Sequence, residues 1–191
     1  PGVVIGELEQ ARNQLAGRNE DGTFTDATLL EVFMAATGLL VPEARTLLAK
    51  FNLAADHVNR PAASLSPGER TRGVLALLMA NGANCLVLDE PTSGVDVRTR
   101  HEVLHLLADL HDEGVAIILT THDLNGLAAH LPRIVCMNVE IIADGPPIEV
   151  LSPDVLERTF GAPMEVLLHG GLPVVIDNGG TDFAARLSRL A

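Results

Sequence analysis

The chain has 191 residues, 47% of them apolar, and a net charge of -12 from 25 acids and 13 bases. That composition suits one domain or slightly more with a real core, and it argues against disorder. It also disfavours nucleic acid or anionic lipid as the main partner, because both are bound through basic patches. Only one base, Lys50, is a lysine, and no glycine lies near it. The phosphate-binding pattern G-x-x-x-x-G-K-[ST] is therefore absent from these 191 residues. Cys85 and Cys136 each sit inside an apolar run, which points to two buried thiols in a reducing cytosol rather than a disulfide framework. No apolar stretch reaches the ~18–20 residues of a membrane span. The first residue is Pro1, which suggests a piece of a longer protein.

Val3-Val4-Ile5, closed by Gly6, predicts a short buried strand. Residues 11–25 are polar with two glycines and predict a loop. Asp26 is placed to cap a helix to about Ala36, stopped at Gly38. Pro42 opens another that ends near Phe51-Asn52. Residues 54–65, broken by Pro61, predict irregular structure. Ser66 caps a helix by three rules at once: a good N-cap, Pro67 at the first helical position, and Glu69 completing the capping box. Cys85–Leu88 and Ala116–Thr121 predict strands joined by a helix over Arg98–Glu113, a right-handed crossover with a parallel sheet. Short strands fit Ile134–Met137 and Glu140–Ala143, and a helix fits Pro153–Phe160. Val166–Leu168 and Pro173–Ile176 predict two more strands, followed by a helix capped by Thr181.

Four places carry chemistry. The N-terminus of the helix after Ser66 offers free N–H groups and a positive dipole end, a place to hold phosphate. Taken alone, it is also only a well-capped helix. Leu86-Val87-Leu88 ends in Asp89 and Glu90, at the carboxyl end of a parallel strand, where ligands bind. The first acid can hold Mg²⁺ and the second can deprotonate an attacking water. A polar turn, Pro91-Thr92-Ser93-Gly94, is the plain alternative. His122 follows the next strand at the same edge and can contact a γ-phosphate through a ring N–H. Gln10, just after the first strand, can reach a metal or a water through its side-chain carbonyl.

In this order and at this spacing the motifs resemble the nucleotide-binding domain of ATP-binding cassette (ABC) proteins, over nearly the whole chain. Leu65-Ser66-Pro67-Gly68-Glu69 looks like the family signature, with Pro67 and Glu69 where transporters often carry Gly and Gln. Cys85–Glu90 looks like the Walker B strand, Ser93-Gly94-Val95-Asp96 like the D-loop, His122 like the switch histidine, and Gln10 like the Q-loop residue. The resemblance implies an α/β fold: an incomplete P-loop NTPase domain with a parallel sheet core and a helical subdomain. Residues 1–160 would be the truncated nucleotide-binding domain, with the helical subdomain at about 19–82, and 161–191 a C-terminal extension. It implies ATP and Mg²⁺ as cofactors and head-to-tail pairing with a second such domain. Ser66, Gly68 and Glu69 would then face the ATP held by the opposite domain. Asp89 and Gln10 would serve Mg²⁺ and its waters. Glu90 would be the general base, Asp96 would couple the two sites, and His122 would hold the γ-phosphate. The Walker A lysine and the adenine-stacking aromatic would belong upstream of Gln10. Loss of that part would expose sheet edges and core faces.

Finer likenesses divide. Residues 1–90, through Ile5–Arg12 and Arg60–Arg72, resemble ABC-F proteins, the soluble ATPases that work at the ribosome. Residues 91–177 resemble the ATPase subunits of manganese, zinc or iron importers. That likeness rests on Thr120-Thr121-His122-Asp123-Leu124, Ala143-Asp144-Gly145-Pro146-Pro147 and Glu149-Val150-Leu151-Ser152-Pro153. The importer reading implies an ATP-hydrolysing subunit at the inner face of the plasma membrane, docked on membrane permease subunits. The ABC-F reading implies a ribosomal partner, against which the charge of -12 counts. A third pattern, His101-Glu102-Val103-Leu104-His105, matches the H-E-x-x-H of zinc hydrolases, with His111 at the place of a third ligand. That ligand set needs a glycine to break the helix, and Ala108 stands there. On an unbroken helix His111 lies roughly 120° around the axis from His105 and misses the metal.

Overall fold

The computed structural model describes residues 2–8, 15, 26–128 and 131–177. Its contacts divide the chain into two units, Pro1–Thr121 and His122–Ala191.

The first unit is built on three parallel strands, β1 (Ile5–Leu8), β2 (Cys85–Asp89) and β3 (Ala116–Thr120), in that order across the sheet. The first strand starts two residues later than the sequence predicts, and its apolar lead is not buried: Val3, Val4 and Ile5 are exposed. The inward positions are Gly6 and Leu8. Gly6 lies inside the strand because a Cβ there would come within 2.9 Å of Ala83 Cβ and 3.2 Å of Leu78 Cβ. The backbone must pass that close to the helix before β2.

Five helices precede or cross over the sheet. α1 (Leu29–Thr37) is capped by Thr28, whose hydroxyl accepts from the Glu31 N–H while the Glu31 carboxylate accepts from the Thr28 N–H. Thr28-x-x-Glu31 is a full capping box, so it displaces Asp26 from the predicted role. Gly38, at φ +71°, stops the helix as predicted. α2 (Val41–Lys50) follows, then a single turn, α3 (Ala55–Val58), and a 3-10 turn at Ala62–Ser64. The region predicted as irregular therefore holds two short turns. α4 (Pro67–Ala80) is buried on all sides from Thr71 to Leu77. α5 (Val97–Asp112) runs unbroken through Ala108.

α4 and α5 cover one sheet face. Leu8, Leu86 and Leu88 point into that interface and are 0–1% exposed. The core also takes in Leu29, Phe33, Leu48, Leu53 and Val74. The other face is bare: Ile5 is 59% exposed and Ile118 60%. Among the described residues no single helix is long and apolar enough to cross a membrane. The bent pair α1 and α2 passes only on joint length and composition, and its Leu29, Phe33, Ala44 and Leu48 sit in this core.

The second unit holds two antiparallel pairs, β4 (Ile134–Asn138) with β5 (Glu140–Gly145), and β6 (Met164–His169) with β7 (Leu172–Asp177). Helix α6 (Leu124–Ala128) precedes the first pair, and α7 (Pro147–Val150) and α8 (Pro153–Phe160) join the two pairs. Gly170 and Gly171, at φ +60° and +83°, make the tight β6–β7 turn. The Asn125 side-chain amide donates to Val175 O and accepts from Val175 N, both at 2.8 Å, so it replaces a strand partner for β7. Leu151, Leu156 and Val175 form the small core. Cys136 on β4 is buried and Cys85 on β2 is half-buried, both as free thiols. Burial pushes the Cys136 thiol up, and a hydrogen bond with Thr159 partly offsets it. The helix predicted after Thr181 lies outside the described residues.

The two sheet faces should respond differently to mutation. Leu86→Ala is expected to cost about 2–5 kcal/mol by urea unfolding, because it opens a cavity under α4. Ile118→Thr is expected to change stability by no more than about 0.5 kcal/mol while reducing self-association measured by sedimentation.

Candidate functional site

The carboxyl edge of the sheet brings Asp89, Glu90 and Thr120 together. Parallel register pairs Asp89 with Thr120. The period of two places both on the bare face, with Val87 and Ile118. Thr120 Oγ1 donates to Asp89 Oδ1 at 2.5 Å. The Glu90 N–H donates to Thr120 O at 3.2 Å and approaches Thr120 Oγ1 at 3.3 Å. Glu90 has a left-handed backbone, φ +46°, which costs a non-glycine residue about 1–3 kcal/mol unless its surroundings hold it. Here the Thr120 carbonyl holds its N–H and the Ser93 N–H holds its C=O at 3.0 Å. The left-handed residue ends the regular alternation of β2 at Glu90.

Below that turn, three contacts register α4 against the segment after β2. Thr71 Oγ1 donates to Pro91 O at 3.3 Å. Arg72, with a side chain 7% exposed, donates to Glu102 Oε2 on α5 at 3.2 Å. Gly68 meets Thr99 so closely that a Cβ would lie 2.1 Å from Thr99 Cγ2. Thr99 is itself fixed by Asp96, the N-cap of α5, which accepts from the Thr99 N–H at 3.0 Å and its hydroxyl at 2.7 Å. Those hydrogen bonds, the backbone one first, hold the Asp96 carboxyl below its ordinary value.

At the start of α4 the predicted capping box is present. The Ser66 N–H donates to Glu69 Oε2 at 2.7 Å, and the Glu69 N–H donates to Ser66 Oγ at 3.3 Å. Glu69 Oε1 also accepts from Arg60 Nη1 at 3.1 Å and lies 3.2 Å from His57 Nε2. Burial pushes the Glu69 carboxyl up, but the Ser66 hydrogen bonds and the Arg60 charge outweigh it, and the net shift is downward. Arg60 also donates to Ser64 O at 2.9 Å, and Arg70 donates to Leu65 O and Ala63 O at 3.1 and 2.8 Å. The two arginines thus fix the approach to Ser66.

The predicted residues therefore fall into separate groups. Asp89 and Glu90 share the sheet edge. Ser66, Gly68 and Glu69 share the start of α4, and Gly68 connects to Asp96 through Thr99. His122 is exposed and belongs to the second unit. Gln10 lies outside the described residues. Sequence reading missed Thr120, Thr99, Thr71 and Arg60. Thr120 could have been found by carrying strand alternation from Asp89 across the predicted sheet; the others had no local signal.

Mg²⁺ takes hard oxygen donors and is commonly held by one or two carboxylates plus substrate phosphates. Asp89 and Glu90 on an exposed sheet edge fit that donor set. Among the described residues no cluster of three or more His, Cys, Asp or Glu side chains could hold a metal. That finding, with the unbroken α5, corrects the zinc-hydrolase alternative. Glu102, its would-be base, is engaged instead by Arg72 and by Arg98 at 3.1 Å.

Gly68→Ala is expected to destabilise by about 1–3 kcal/mol, against the usual helical gain from alanine. Thr99 cannot rotate its methyl away without losing Asp96. Thr99→Ser keeps the hydroxyl and removes the methyl, so Gly68→Ala/Thr99→Ser should recover the loss in urea unfolding. A pH effect follows from Asp96 and Glu69. Both carboxyls are depressed in the folded state, so their contribution is full above the unfolded values and is lost as pH falls through the folded ones. Stability should therefore decline below about pH 4.5. Asp96→Asn, which keeps a cap without titrating, should flatten that limb in thermal unfolding followed from pH 7 to 3.

Residues 29–128, more than half of the chain, match the family model described as "AAA domain, putative AbiEii toxin, Type IV TA system". The chain is 38% identical over 112 residues to the hemin import ATP-binding protein HmuV of Rhodococcus jostii, covering 58% of this chain and 38% of that one. It is 37% identical over 103 residues to the manganese transport system ATP-binding protein MntA of Synechocystis, covering 54% of this chain and 40% of that one. It thus spans well under two thirds of these relatives. Among solved structures, cbiO1 from Clostridium perfringens, part of an ABC transporter complex, aligns with 97% of this chain and 67% of its own. The TM-score is 0.60 at 23% identity, a likeness of fold. The chain belongs to the AAA-domain family of that model, and it is a homologue of the ATP-binding subunits of ABC transporters.

Proposed function

We propose that the chain is the Walker B, signature and switch portion of an ATP-hydrolysing subunit of an ABC importer for a metal ion or metal chelate. The observation that carries this is the sheet edge, where Asp89 and Glu90 stand beside Thr120 with Glu90 held at positive φ. The names of the relatives, hemin and manganese import proteins, support the cargo class. In this reading residues 1–160 are the nucleotide-binding domain, with the helical subdomain at about 19–82, and 161–191 extend it. The bare sheet face is where a segment with the phosphate loop packs.

Mg²⁺, when bound, neutralises charge that builds on phosphate oxygens. Asp89 and Gln10 are the residues proposed to hold it. Glu90 accepts the proton of the attacking water. The N-terminus of α4, through the Gly68 N–H and the Ser66 hydroxyl, holds the phosphate of the ATP on an opposing domain. Glu69 keeps that N-terminus ordered but adds a negative charge there, which Arg60 offsets. Asp96, joined to Gly68 through Thr99, couples the two sites, and His122 donates to the γ-phosphate. A second such domain and membrane permease subunits are the proposed partners, which places the assembly at the inner face of the membrane. The relatives named above are importer subunits, and they lend no support to a ribosome-associated role.

The 191 residues alone are expected to hydrolyse Mg²⁺–ATP no faster than background. Joined to a segment that carries the G-x-x-x-x-G-K-[ST] pattern, the chain should gain activity in a phosphate-release assay. Glu90→Gln should then remove about 10²–10⁴-fold of the rate. An unchanged rate in that variant would refute the assignment of Glu90.

A further inference from the structure

Thr120 touches both acids of the proposed site. Its hydroxyl donates to Asp89 Oδ1 at 2.5 Å. That contact occupies one carboxylate oxygen and leaves Oδ2 for another partner. The same hydroxyl lies 3.3 Å from the Glu90 nitrogen, and the Thr120 carbonyl accepts from that N–H at 3.2 Å. The last residue of β3 therefore sets a side-chain direction for one acid and the backbone of the next. Strand pairing alone does not call for a hydroxyl here. Thr120 is exposed on the bare face, and valine would serve the strand as well.

We propose that Thr120 is a positioning residue for the Asp89–Glu90 pair: its hydroxyl turns the Asp89 carboxylate so that Oδ2 faces a divalent cation. This rests on the reading of Asp89 as the metal ligand. Carboxylates that bind metals are themselves held by hydrogen bonds, and losing such a partner commonly costs about 10–100-fold in metal affinity.

The test uses the ¹⁵N-labelled 191-residue chain, titrated with Mn²⁺ as a paramagnetic probe. Broadening is expected to centre on the amides of Asp89, Glu90 and Thr120. Thr120→Val should weaken that binding about tenfold with an unchanged or higher urea midpoint. Thr120→Ser, which keeps the hydroxyl, should restore most of it. Thr120→Val binding Mn²⁺ as tightly as the wild type, or Thr120→Ser failing to restore affinity in a folded protein, overturns the role of Thr120 and leaves Asp89 as the ligand. A wild-type chain that shows no broadening at Asp89 and Glu90 overturns the metal reading itself, and the Thr120 proposal with it.

Discussion

Both crossovers of the first unit run in the same direction across the sheet, from β1 to β2 and from β2 to β3. A right-handed crossover between parallel strands puts its helix on a fixed side, so two that advance the same way put both helices on one face. The placement of nearly every apolar residue follows. Leu8, Leu86 and Leu88 go under α4 and α5, and Ile5, Val87 and Ile118 go to the open side. Parallel sheets normally have both faces covered, and the open side here has the apolar content of a face meant to be covered. It is also the side on which Asp89 and Thr120 lie. The candidate chemistry therefore sits beside the unfilled surface and not on the packed one.

The helical face imposes a second constraint, closeness. α4 must approach α5 near its N-terminus to within a glycine's thickness at Gly68, and Thr99 is the residue it meets. Because Thr99 is held by Asp96, the cap of α5 and the start of α4 share one atom-tight joint. Arg72 and Glu102 lock it a turn further along, and Thr71 ties it to the turn after β2. Gly68, two residues past Ser66, is thereby joined to Asp96 through a single residue, Thr99. A buried arginine paired with one carboxylate is weak evidence for net stability. Its clearer effect here is to fix the register of two helices.

Much of this was legible in the sequence where a rule is local. The capping box at Ser66 and Glu69, the strand Cys85–Leu88 and the helix Pro153–Phe160 depend on neighbours a few residues apart, and they stand as read. The errors came where a nearby competitor decided. Thr28 with Glu31 outranks Asp26 as a cap because two reciprocal hydrogen bonds outweigh one. Val3 and Val4 read as a buried strand because β-branched runs usually are, but the sheet takes its inward residues from Gly6 and Leu8. The importance of Thr120, Thr99 and Arg60 could not be read locally, since each acts on a residue brought near by the fold.

The H-E-x-x-H pattern shows why spacing alone is a poor guide to chemistry. His101 and His105 share a helix face as the pattern requires, but a metal needs a third direction of approach, which a straight helix cannot supply. Ala108 keeps α5 straight where a glycine would break it. Glu102, between the histidines, is drawn to Arg72 and Arg98 by charge, so the would-be base packs against α4 instead. The capping box at Ser66 is a shorter and commoner pattern, yet it needs only a helix N-terminus, which the fold provides. What separates the two is whether the backbone supplies the geometry that the motif assumes.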